Sequence, residues 1–129
     1  MARVATTRPR VRPVWFLYDE ACFWWLTGPW TTLPEEITAD PRVSLVVDTC
    51  DLETGAVLQV VAHGPAELVA FDADRARRKL TRYLGDDVDA WDPRFRETLD
   101  GTDQAQFVRL DPVRMSARDL SYRSALHRG

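Results

Sequence analysis

The side chains with the most chemical capacity in this chain are cations, hydroxyls and aromatic rings crowded near its start. Arg12 follows Arg3, Arg8 and Arg10 with no acid among them. Trp15, Phe16, Trp24 and Trp25 come next, Thr27, Thr31 and Thr32 surround Trp30, and Gln59 interrupts a later apolar run. A guanidinium grips phosphate in a planar fork, hydroxyls and amides bond the polar edge of a ring, and aromatic side chains wall a flat apolar slot. Together these groups suit a planar organic ligand with an anionic tail. Each also has a structural use: tryptophans fill cores and interfaces, threonines cap helices, a glutamine satisfies a neighbouring strand, and an arginine stem covers a ring.

Other chemistries have little to stand on. The only histidines, His63 and His127, lie outside helical spacing of a cysteine or of each other, so no metal site is expected. No nucleophile elbow, phosphate-binding P-loop or dinucleotide glycine fingerprint occurs. No catalytic side chain is therefore assigned. A net charge of −3 argues against broad nucleic-acid binding, although an arginine-rich arm on nucleic acid remains a minor reading. No apolar run is long enough to span a bilayer, and the start has no hydrophobic stretch after its arginines. Cys22 and Cys50 are isolated, which fits a reducing cytoplasm and leaves a bridge between them open.

The elements that must carry these groups are mostly strands. At 129 residues the chain suits a single domain, 1–129, with residues 1–10 expected as a mobile basic arm. Residues 13–18 and 22–27 read as a hairpin whose continuous apolar character calls for cover on both faces, one cover being a second subunit. Thr32, Pro34 and Glu35 open a short helix to about Ala39. Strands follow at 43–49 and from Val57 to about Val69, with a bend at Gly64 and Pro65. Residues 73–84 form an amphipathic helix with Ala76, Leu80, Tyr83 and Leu84 on its apolar side and Lys79 with the arginines opposite. Gly85 ends it, and Asp92 and Pro93 start another helix that packs through Phe95 and Leu99. Residues 105–110 give a last strand, and the tail from Ser116 is too polar to assign. Closing such strands into a barrel removes their open edges.

In order along the chain, several segments resemble the pyridoxamine 5′-phosphate oxidase superfamily. R-P-V-W-F-L, Arg12 to Leu17, is similar to that family's R-x-V-L-L-K strand. By this resemblance Arg12 would hold the flavin phosphate, and Val14, Trp15 and Phe16 would lie along the ring. T-G-P-W-T-T-L, Thr27 to Leu33, is similar to its T-x-x-x-S-x-K loop, which offers Thr27, Thr31 and Thr32 as donors. L-Q-V-V-A-H-G, Leu58 to Gly64, resembles the R-Q-V-x-x-x-G strand and makes Gln59 a cofactor contact; R-L-D-P-V-R, Arg109 to Arg114, resembles R-L-x-P-x-R. Leu17 and Leu33 stand where the family carries lysines, and Glu35 and Glu36 sit in the turn where its phosphate arrives.

The resemblance implies a mainly β fold, a six-stranded antiparallel split β-barrel with short helices, working as a homodimer. It implies a flavin- or deazaflavin-dependent oxidoreductase that passes hydride to or from a small-molecule substrate at the dimer interface, with FMN, or coenzyme F-420, as cofactor. The replaced lysines motivate a second expectation: a split-barrel binding protein, with no redox role and possessing no flavin, that keeps the pocket for another ligand.

Overall fold

The computed structural model describes residues 1–101, 103–123 and 125; His127 lies outside them. Alternation with period two decides its inner face. In β1 (Ala2–Thr6) Ala2 and Val4 are buried while Arg3 points out, and in β5 (Arg42–Cys50) Val43 and Leu45 do the same. Val4 stands opposite Leu45, and Leu45 opposite Ala62 of β6 (Val57–Val69), so one apolar row crosses three strands. The segment expected as a mobile arm is thus a central strand. Two small apolar side chains suffice to dock it, because both of its edges are paired.

β2 (Val11–Val14) completes that side by pairing with β1, placing Arg12 opposite Val4 and Val14 opposite Ala2. β3 (Leu17–Asp19) and β4 (Cys22–Thr27) form a hairpin across Glu20 and Ala21, both at positive φ, as a two-residue turn between twisted strands requires. The single strand expected at 13–18 is therefore two, separated at Trp15 and Phe16. β7 (Gln106–Leu110) pairs with β4 and β6, and β8 (Arg114–Asp119) pairs with β6. The antiparallel order is β2-β1-β5-β6-β7-β4-β3 with β8 off this path. This is a curled, partly open split barrel of eight strands where six were expected.

β6 runs through the expected bend as one strand and changes partner there. Leu58 to His63 face β8, whereas Ala66 to Val69 face β7. The returning chain crosses at Gly64, where a Cβ would overlap the Asp111 carbonyl oxygen.

Three helices close the barrel. α1 (Leu33–Ala39) buries Leu33 and Ile37 against Trp25, Leu45 and Leu110 inside it. α2 (Ala73–Leu84) packs Ala76 on Cys22, Trp24 and Phe107, so the outer face of β4 is covered by the same chain and not by the second subunit that sequence suggested. Its N-terminus is capped by Asp72, and Arg75 lies 3.5 Å above the Trp24 ring. α3 (Pro93–Leu99) follows a short 3-10 turn at Val88–Ala90. Cys22 is buried and Cys50 exposed, and both are free thiols.

Candidate functional site: an aromatic cleft beside a neutralised arginine

The break between β2 and β3 builds the main cleft. Freed from the sheet, the Phe16 backbone is held by Tyr83 of α2: its N–H donates to the Tyr83 hydroxyl at 3.1 Å, and that hydroxyl donates to the Phe16 carbonyl at 3.3 Å. The Trp15 ring then lies flat on Tyr83 at 4.8 Å and on Phe95 of α3 at 5.5 Å. Three elements thereby fix one aromatic wall. Opposite it, Trp30 folds back over Gly28, where any Cβ would overlap its ring. The resulting cleft of about 680 Å³ also takes in Val14 and Leu26. That is the size and character of a small-molecule pocket.

Lys79 also lines this cleft, only 4% exposed, although it was expected on the solvent side of α2. Its position three residues after Ala76 and four before Tyr83 puts it at the margin of the apolar arc, a spacing from which its inward direction was readable. It forms no hydrogen bond or ion pair with any described residue. Burial pushes its ammonium down to about 8. A largely buried cation in an apolar pocket is costly unless an anion joins it.

The sequence-selected arginine lies in a separate cluster. Arg12 forms an ion pair with Glu36 of α1, whose side chain is 2% exposed, and Arg10 approaches the same carboxylate at 3.8 Å. Both arginines donate to the Thr32 hydroxyl at 2.9 Å. Thr32 thus holds guanidinium groups and makes no side-chain cap, while Thr31 accepts weakly from the Leu33 N–H at 3.4 Å. Burial pushes the Glu36 carboxyl up, but the hydrogen bond and charge of Arg12, with Arg10 and Arg8 adding, hold it below the ordinary glutamate value.

The cofactor implied by the fold can be tested against these groups. The aromatic cleft fits a flat ring. The phosphate position does not fit: Arg12 and Thr32 already enclose a carboxylate, so a second anion there would meet Glu36 at close range. Nor do positions 17 and 33 supply the family's lysines, because Leu33 is in the barrel core and Leu17 packs against the Trp24 cluster.

The other selected residues scatter. Val14 and Trp15 line the cleft. Phe16 is buried in the barrel core, and Thr27 is buried with its hydroxyl unpartnered. Gln59 pairs in register with Asp48 on one side and Arg118 on the other. It alternates with the inward Val60 and Ala62 and lies three strands from Arg12, so one copy of the chain does not bring these two together. Trp30, Phe95 and Lys79 are the site-forming residues that motif matching passed over, while Glu36, already placed in the phosphate turn by sequence, proves to be the partner of Arg12.

The family model for pyridoxamine 5′-phosphate oxidase matches residues 1–119. No curated protein matches the chain significantly. A conserved hypothetical protein of Mycobacterium tuberculosis superposes with a TM-score of 0.73 at 19% identity, covering 92% of this chain and 76% of its own. An FAD-binding protein of Mesorhizobium loti gives 0.63 at 24%, covering 93% and 86%. HutZ, the heme storage protein of Vibrio cholerae, gives 0.65 at 17%, covering 98% and 89%. At such identities the likeness is one of fold.

Proposed function

The chain belongs to the pyridoxamine 5′-phosphate oxidase family, and from that premise we propose that it binds a flavin-type ring in the cleft walled by Trp15, Trp30 and Phe95 and acts as an oxidoreductase on a small substrate. The carrying observation is the cleft itself, a preformed aromatic slot lined by Val14 and Trp15. A flavin or deazaflavin supplies hydride transfer when bound, and the protein supplies the slot and the exclusion of water. That division of labour needs no side-chain nucleophile. Trp15, held between α2 and α3, fixes the plane in which a ring would lie. The Arg12 cluster holds β2 to α1 and takes no part in gripping a tail.

We further place the site in a homodimer in the cytoplasm. An apolar groove of about 410 Å³ runs between Phe16, Phe23, Val47 and Val60, with Tyr18 and Met115 about half exposed at its border. Apolar surface of that kind seldom stays open to water. A second copy would cover it, and it would also offer the only way for Gln59 to approach a shared site.

The Arg12–Glu36 pair favours a second reading, a binding protein with no redox role. Adding FMN, FAD and F-420 in turn to the purified protein and recording visible spectra after gel filtration separates the two. Co-elution of any one supports the flavin reading. Failure of all three, with the protein folded, overturns it and leaves the binding protein. Elution as a monomer at micromolar concentration overturns the dimer.

A further inference from the structure

The cleft contains one charge that nothing else among the described residues answers. Lys79 projects from α2 among Trp15, Leu26, Trp30 and Phe95 and has no partner among the described residues. The carboxylates that share the cleft are otherwise engaged: Asp103 accepts from the Thr98 hydroxyl at 2.6 Å and from the Ala105 N–H at 3.2 Å, and Glu97 has a contact of its own. Arg94 and Met1 also border the cleft, both well exposed, so their charges are screened by water. Of the cations that line the cleft, Lys79 is the most buried.

We propose that Lys79 is the anion-recognising residue of this cleft and that its ligand is a flat aromatic acid, a fused-ring compound bearing a single carboxylate. The rings would stack on the exposed Trp30 and rest against the edges of the packed Trp15 and Phe95, and the carboxylate would accept from the ammonium. One buried cation matches one negative charge. A doubly charged phosphate would retain uncompensated charge and face Glu97 and Asp103. The inference rests on the reading of the cleft as the ligand site, and it does not require that a flavin be bound.

Naphthalene-2-carboxylate and its neutral isostere naphthalene-2-carboxamide provide the test, titrated calorimetrically into the full chain at pH 7. The acid is expected to bind about tenfold or more tightly than the amide, the range for a charged hydrogen bond. Lys79→Met should bring the two affinities together, whereas Lys79→Arg should keep the preference. Raising the pH of the wild type past about 8 should erode the preference as the ammonium loses its proton. Equal affinity for acid and amide, no binding of either, or an undiminished preference in a folded Lys79→Met protein would overturn the assignment. If Lys79→Met does not fold, an undiminished preference in Lys79→Gln would do so. Flavin uptake without acid preference removes this inference and keeps the proposed function; acid preference without flavin uptake does the reverse.

Discussion

Lys79→Met should make the protein more stable at neutral pH, and by an amount that depends on pH in a defined direction. Methionine has nearly the same reach and no charge to desolvate. The lysine falls from its ordinary 10.5 to about 8 in the folded chain, and burial alone accounts for it. At about 1.4 kcal/mol per pH unit, keeping the ammonium charged in the fold costs about 3 kcal/mol. Below pH 8 both folded and unfolded chains carry the proton, so the whole cost is present. Between about 8 and 10.5 the folded chain releases its proton first, the unfolded chain binds more, and stability rises with pH. Removing Lys79 therefore stabilises by about 3 kcal/mol at pH 7, and the advantage shrinks toward zero by about pH 10.5. Urea titrations of both proteins at intervals from pH 6 to 10 give the difference directly, and other groups that titrate in this range cancel in it. A gap that stays constant across that series would mean that the ammonium reaches water in the folded state. A less stable variant at pH 7 would mean that the stem's packing outweighs the desolvation.

Arg12→Met leaves the Glu36 carboxylate without its closest cation and should cost about 3 kcal/mol in urea at pH 7, the lower end of the range for a broken buried pair because Arg10 remains at 3.8 Å. The loss should fade as pH falls below 4.5, since the pair contributes only while Glu36 is ionised, and Arg12→Met with Glu36→Gln should recover most of it. Gly64→Ala drives a methyl into the Asp111 carbonyl where β6 changes partners and should destabilise by about 1–3 kcal/mol in the same assay. Ala21→Gly removes a left-handed alanine from the β3–β4 turn and should raise the thermal midpoint through a gain of about 1 kcal/mol.

The parts of the fold legible in sequence are those whose side chains do the folding. α2 spans residues 73–84 as its spacing required, bounded by Asp72 and Gly85, because an amphipathic face and two caps are local properties. β5 and β6 declared themselves by β-branched runs buried on the inner face. β8 did not, since all six of its residues are exposed and backbone pairing to β6 alone keeps it extended. β1 hid for a related reason: its two buried residues sit among charges, and only its two paired neighbours make it a strand.

The site was legible as an inventory of groups and not as an arrangement. Motif matching selected Arg12 and Gln59 by residue type, but type is silent on which face of a sheet a residue occupies or who has already claimed its charge. Glu36 claims Arg12 from a different element, and no described residue claims Lys79. A buried ion pair is internally neutral and attracts a further anion weakly, whereas an unpaired buried ammonium gains from any anion that reaches it. Both cations share one small barrel, so the difference between their partners decides where a negatively charged ligand settles. By that argument the anion goes to α2 and the aromatic cleft, and the arginine at the start of the barrel is left to hold β2 against α1.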